Sequence, residues 1–318
     1  MKKRKNSPLK KSVTLDQCAL YKIQSKRRLC QILNVPLSAL KGLMDDEKNY
    51  HTFEIEEFVN ELTGKRKKAR TASVPNFWLK RLHSRVHNLL STIVAPLYAH
   101  GSIKNRSYVT NALFHVGADE VLTMDLRDFF RSVKRHHVYF FFRDKLRCSP
   151  DVAGVLSNLL TYQGALPVGS PVSALLAMWV CHNMFERLSQ LASDYQLKFS
   201  TFIDDLTFSG ESIPGRYEAM VERICIQFGL SIREDKTFMY RKGRPATVTG
   251  VIIHEGKIKA PYSRYQNLRK LSAVLSQQGS DAVVNGKFAK YSFLGGRNEA
   301  RLLRRTSSDQ NSPVLVFG

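Results

Sequence analysis

The chain has 318 residues, 43% hydrophobic and 24% charged, enough to bury a core and too apolar for a disordered or fibrous chain. Its 49 Lys and Arg against 27 Asp and Glu leave a net charge of +22, the balance of a protein that meets a polyanion, nucleic acid first and an anionic membrane surface second. No run reaches the roughly 18 apolar residues of a spanning helix, and five cysteines without a C-x-x-C spacing exclude a disulfide framework and a zinc knuckle and predict reduced thiols in a cytoplasm.

Taken in chain order, Met1-Lys2-Lys3-Arg4-Lys5-Asn6-Ser7-Pro8 is basic with no apolar stretch behind it, so residues 1–24 are expected to form a flexible basic arm and not a secretory signal. Between Thr14 and Asp46 the apolar spacing suits two short helices broken near Asn34-Val35-Pro36. Tyr50 to Ile55 alternates as a strand, and Lys65-Arg66-Lys67-Lys68-Ala69-Arg70-Thr71 after Gly64 predicts a hairpin with a very basic tip, fit to hold a triphosphate or a template backbone. Leu79 to Val94 is amphipathic and stops at Pro96. It carries His83 and His87 four apart, a spacing that allows a shared metal, but without a third ligand nearby it points to phosphate or solvent contact.

Val121-Leu122-Thr123-Met124-Asp125 is an apolar run ending in an acid. A carboxylate at the end of a buried strand needs a partner; Arg127, Arg131 or a shared cation would each serve. Gly164 to Pro171 is a Gly/Pro loop leading into a long helical pattern to about Asp194, with Ser170 as its cap and Pro171 at the first helical position. Thr201-Phe202-Ile203-Asp204-Asp205-Leu206-Thr207-Phe208 sets two adjacent acids between β-prone runs, a tight hairpin with both at its tip. Such a pair is a plain solvated turn or, if relieved by a divalent cation with oxygen ligands, a site for phosphate chemistry, for which magnesium is the usual ion. Arg216 to Phe228 is a helix stopped by Gly229, Leu230-Ser231-Ile232 is strand-like, and Val248 to Ile258 forms another hairpin. From Ser263 onward the pattern is helical and basic, with a loose tail after Ser307.

Three of these stretches together resemble the A, B and C motifs of reverse transcriptases, in order: Met124-Asp125-Leu126-Arg127-Asp128-Phe129-Phe130, Leu166-Pro167-Val168-Gly169-Ser170-Pro171 and Phe202-Ile203-Asp204-Asp205. Asn111-Ala112-Leu113-Phe114-His115 is similar to the N-A-x-x-H signature, and Val248-Thr249-Gly250 to the V-T-G signature, of bacterial retron reverse transcriptases. The likeness runs from about Ser25 to Arg305. It implies an α+β chain with the right-hand polymerase fold: fingers at 25–120, a palm of antiparallel sheet and helices at 121–255 with a fingers insertion around 131–170, a helical thumb at 256–306 and a tail at 307–318.

By the same resemblance Asp125, Asp204 and Asp205 are the metal-binding catalytic acids, holding two magnesium ions about 4 Å apart. Arg70, and Lys68 beside it, would grip the incoming deoxynucleoside triphosphate. Phe130 would be the gate against a ribose 2′-OH, Val168 and Gly169 would line the nucleotide, and Lys236 would stand near the pyrophosphate as a possible general acid. Gly101, Arg106 and Ser107 match the loop before N-A-x-x-H. Arg106, Asn111, His115, Val248, Thr249 and Gly250 would recognise RNA.

The departures are specific. Phe202 and Ile203 replace Tyr and Ala of the usual hairpin, losing one hydroxyl hydrogen bond worth about 1 kcal/mol. Val168 stands where the family has Gln, and Ala174 and Met178 where it has Pro and Asn. The resemblance implies an enzyme that binds its own structured non-coding RNA, primes from a guanosine 2′-OH and makes branched, multicopy single-stranded DNA for anti-phage defence with a separate effector protein. An RNA-binding scaffold without polymerase activity, and a group II intron or diversity-generating reverse transcriptase, are the alternatives.

Overall fold

The computed structural model describes residues 12–59, 66, 67, 69–262, 265, 266 and 269. They divide into two compact units, one of residues 12–55 and 71–259 and another of those at 56–70 and beyond 259. In the second, β2 (Phe58–Val59) and β3 (Arg66–Lys67) form an antiparallel ladder. The expected tip residues between them and Lys68 lie outside the described residues, as do the expected tail and most of the segment expected to be a thumb.

The first unit is an α+β body built on a four-stranded antiparallel sheet of order β6-β7-β5-β8: β5 (Glu120–Asp125), β6 (Lys198–Phe202), β7 (Asp205–Gly210) and β8 (Phe238–Tyr240). Alternation puts Leu122 and Met124 into the core from β5 and Phe208 from β7, with Phe199 of β6 stacked on Phe208 at 4.9 Å. Beside it β1 (Tyr50–Ile55) pairs with β4 (Arg70–Pro75). β9 (Ala246–Val248), β10 (Val251–His254) and β11 (Lys257–Lys259) make a three-stranded meander over a smaller apolar cluster.

The helices begin where the sequence offers caps. Ser25 caps α1 (Lys26–Leu33), and Asn34 ends it in a left-handed conformation; two single turns follow, α2 (Leu40–Leu43) and α3 (Asp46–Asn49). Asn76 accepts from Leu79 N at the start of α4 (Phe77–Leu90), and Ser107 and Thr110 form a reciprocal capping box on α5 (Tyr108–Phe114). The single turn α6 (Phe129–Ser132) is followed by α7 (Arg135–Phe140), which continues as a π-helix over Phe141–Lys145, and by α8 (Pro150–Leu160), capped by Ser149 with proline at its first position. The sheet is backed at β6 by α5 and by α10 (His182–Asp194), and α9 (Ser173–Val180) and α11 (Tyr217–Gln227) pack on α10.

Several expectations need correction. The arm does not extend to residue 24: Cys18, Leu20 and Ile23 are buried in the main core and Val13 bridges Ile93, because these apolar residues close the gap between α4 and the Leu146–Cys148 turn. α4 stops at Leu90, not at Pro96. The helix expected from Pro171 to Asp194 starts at Ser173 and breaks at Cys181; Val172 stands at its cap position, and Ser170 Oγ accepts from Val172 N at 3.4 Å while also meeting His83 Nδ1. Leu230–Ile232 contributes only a bridge from Ile232 to Leu126. All five thiols are buried and unpaired, and among the described residues no helix is long and apolar enough to cross a membrane.

Candidate active site

The β6–β7 hairpin closes through a two-residue turn, Ile203-Asp204, because Phe202 pairs with Asp205. Asp204 therefore sits in the turn and Asp205 opens the ladder, so only one of the two acids is at the tip. The neighbouring register pairs Asp125, the last residue of β5, with Asp205 across the strands, and Leu126 N donates to Asp204 O at 2.9 Å. Three carboxylates from distant parts of the chain thus meet at one end of the sheet.

Ile203 adopts φ +66°, a left-handed conformation that β-branched residues avoid. The turn is pressed into place from outside. His100 N donates to Thr201 O, and a β-carbon added to Gly101 would lie 2.5 Å from Ile203 N. Glycine is the one residue that lets the 98–101 segment lie against the turn.

Asp125 is 6% exposed and is answered by Lys236, whose Nζ lies 2.7 Å from Oδ2. A 3₁₀ turn at Glu234–Lys236 lifts that lysine into place, anchored by Arg233 N donating to Asp125 O. Arg233 itself points its guanidinium at Asp235 and reaches Asp125 Oδ1 only at 3.8 Å. The expected partners Arg127 and Arg131 are not among these contacts. Burial, then the charges of Asp204 and Asp125, push the Asp205 carboxyl up to about 7; burial also raises Asp204.

Among the described residues no three His, Cys, Asp or Glu side chains form a ready-made ligand cage, because Asp125 faces Lys236. The donor chemistry nevertheless fits a divalent cation. Three hard carboxylates crowd together, and two are driven toward protonation by the repulsion and burial a cation would offset.

Asp125 and Asp205 open onto a cavity of about 320 Å³ that Lys236, Phe202, Thr249 and Gly250 also line. Thr249 and Gly250 form a tight turn, both with positive φ, between β9 and β10, and Val248 is buried beneath it. The turn is tied inward by a chain of hydrogen bonds. Ser200 Oγ donates to Asn111 Oδ1 at 2.7 Å and has no second proton, so His115 Nε2, 2.6 Å away, must be the protonated ring nitrogen. His115 Nδ1 then accepts from Ser209 Oγ at 2.7 Å, and at the far end Asn111 Nδ2 donates to Thr249 Oγ1, which donates to Tyr108 O. Asn111 and His115 are fully buried, and burial lowers His115 to about 3, so it stays neutral. Neither side chain reaches the surface. Arg106 likewise spends Nη1 on the carbonyls of Pro96, Leu97 and Ala99.

The 167–170 loop rests on β4 and α4. Ser73 N donates to Val168 O, and Gly169, at φ +115°, approaches Val74 Cγ2 so closely that a β-carbon would lie 3.1 Å away. His83 is wholly buried, with Nε2 2.7 Å from Leu159 O and Nδ1 2.6 Å from Ser170 Oγ, and burial lowers it to about 4. It faces neither metal nor phosphate, contrary to the expectation from its spacing to His87. Phe130 is half-buried against the core, its ring 5.8 Å from Phe129. Arg70 lies on β4. Sequence reasoning missed Ser200 and Ser209, whose signal was a polar residue at an inward position of each strand, and Arg233.

Residues 56–253 match the family described as reverse transcriptase (RNA-dependent DNA polymerase). The chain is 27% identical over 241 residues to the retron Se72 reverse transcriptase of Salmonella heidelberg, covering 73% of this chain and 62% of that protein. It is 30% identical to the retron Ec86 reverse transcriptase of Escherichia coli, covering 66% of each, and 31% identical to the retron Mx65 reverse transcriptase of Myxococcus xanthus, covering 74% and 61%. The aligned part thus spans between 61% and 66% of the length of these three relatives.

Proposed function

Because the chain belongs to the reverse transcriptase (RNA-dependent DNA polymerase) family, and its curated relatives are retron members of it, we propose that it is an RNA-directed DNA polymerase that copies part of a cognate structured non-coding RNA into multicopy single-stranded DNA, primed from a guanosine 2′-OH. The observation that carries this is the register that joins Asp125 to Asp205 with Asp204 in the adjoining turn. Those three carboxylates would hold two magnesium ions. Bound there, the ions would lower the pKa of the attacking hydroxyl and offset charge on the leaving pyrophosphate.

The chain's own groups do the rest. Lys236 Nζ neutralises Asp125 in the free protein; once that carboxylate takes up a cation, the ammonium is free to meet the pyrophosphate and give up its proton. Val168 has no amide to offer the incoming nucleotide, so the loop acts there through backbone and shape, with Gly169 giving close approach. Phe130 would be the wall that excludes a 2′-OH, and Arg70, with Lys68, would take the triphosphate. Asn111 and His115 would serve RNA recognition indirectly, by fixing the Val248-Thr249-Gly250 turn beside the cavity, and Arg106 by holding the loop before them. In a fingers, palm and thumb arrangement the four-stranded sheet is the palm. The product would act in anti-phage defence with a separate effector protein.

The test is primer extension on the folded cognate transcript with magnesium and deoxynucleotides. Wild type should yield branched DNA and Asp204→Ala none. Equal synthesis by both would remove the assigned mechanism.

A further inference from the structure

Residues 131–147, from the end of α6 through α7 and its π-helical extension to the turn after it, carry six Lys and Arg against one acid, and all six are exposed. The acid, Asp144, is paired with Arg143, which holds both its oxygens, at 2.6 and 3.1 Å, so the stretch keeps a surplus of five positive charges. Three planar groups stand in a row on the same stretch at spacings of four and three residues: His136, Phe140 and Arg143. Phe140 is 44% exposed although Phe141 and Phe142 beside it are buried, so the fold had aromatic side chains for its interior and turned this one outward. The Arg143 guanidinium carbon lies 4.7 Å from the centre of the Phe140 ring, and the centre of the His136 ring is 6.4 Å from it. The turn that carries Arg143 is π-helical, a distortion that frequently marks functional positions.

Duplex phosphates need only the cations. Planar faces set among cations suit a strand whose bases are free, stacking on ring and guanidinium while Lys and Arg take the phosphates. We infer that this face binds an unpaired stretch of RNA; the inference rests on the reading above that structured RNA is the partner. The face is joined to the candidate active site by backbone: Arg135 N donates to Gly164 O and Leu166 N to Val133 O, and the chain from Leu166 runs directly into Val168 and Gly169. An RNA segment held here is tethered next to the nucleotide loop.

The experiment is fluorescence anisotropy on the full chain with two labelled probes, an RNA hairpin with an unpaired loop and the same stem as a blunt duplex. Phe140→Ala, and Arg143→Lys, which keeps the charge but loses the plane, are each expected to weaken hairpin binding about tenfold and duplex binding less than about twofold. Arg143→Lys, at an exposed position, guards against misfolding, and thermal midpoints check both variants. Equal losses on the two probes, or none, would overturn the proposal, as would polyglutamate binding that disappears in Phe140→Ala while hairpin binding persists, the mark of an acidic protein partner. A wild type that extends no template would defeat the polymerase reading and leave the binding result legible.

Discussion

Lys236 has two possible uses at one position, and a pair of substitutions separates them. It sits 2.7 Å from a carboxylate that is nearly sealed from water, so Lys236→Met leaves Asp125 with only the distant Arg233 and is expected to slow extension by about 10²-fold. Lys236→Arg keeps the charge but does not release a proton. Recovery by arginine in a single-turnover assay means that charge suffices; no recovery means that the proton matters. Asp205 gives a pH signature. Its folded value near 7 lies above the ordinary 3.8, so in metal-free protein the folded state keeps a proton that the unfolded chain loses, and this group's contribution to stability falls as pH rises from about 4 to 7. His83 and His115, lowered to about 4 and about 3, act in the opposite sense and lose stability as pH falls below about 6.5. Thermal midpoints in chelator, wild type minus Asp205→Asn, isolate the first effect: the difference should decline from about pH 5 to about pH 8, and saturating magnesium should abolish that decline. A flat difference in chelator would mean that Asp205 is already ionised when empty.

At the scale of elements the site depends on two contacts between segments far apart in the chain. Gly101 lets the 98–101 segment lie on the Ile203-Asp204 turn; Gly101→Ala would force the turn outward by about an ångström, a displacement that can cost about 10²-fold in rate while far-UV circular dichroism stays unchanged. His83 fastens α4 to the nucleotide loop through Ser170. His83→Ala leaves Ser170 and Leu159 O without their partner, a loss of about 1–2 kcal/mol that should appear as a roughly fivefold to thirtyfold rise in KM for the deoxynucleotide with little change in kcat. A fall in kcat alone would assign His83 elsewhere. The strands bearing Asp125 and the acid pair were legible because apolar alternation and β-branched residues need only local information, as was the β10–β11 hairpin, whereas β9 and the turn at Thr249-Gly250 were not. The start of α9 was legible to within two residues, since Ser170 Oγ accepts from Val172 N and the regular helix begins at Ser173, whereas its break at Cys181 was not. The fate of Cys18, Leu20 and Ile23 was hidden by the basic residues before them; charge near the terminus suggested an arm where packing needed a plug.

For the whole molecule the net charge of +22 sets the kind of partner and the way binding should respond to salt. If six or more phosphates are contacted, affinity for the cognate RNA should fall by about 10³-fold or more between roughly 50 and 200 mM salt, which filter binding measures directly. A shallow slope would move the weight of recognition from charge to shape. One more consequence belongs to the buried bonds from Ser209 through His115, Ser200 and Asn111 to Thr249. Every hydrogen in that file points the same way, so no member can be exchanged alone without stranding a lone pair or a proton in the dry interior. Evolution would then have to change these letters in concert or not at all, and the two signatures would persist through drift as a single inherited word, although both Asn111 and His115 are fully buried.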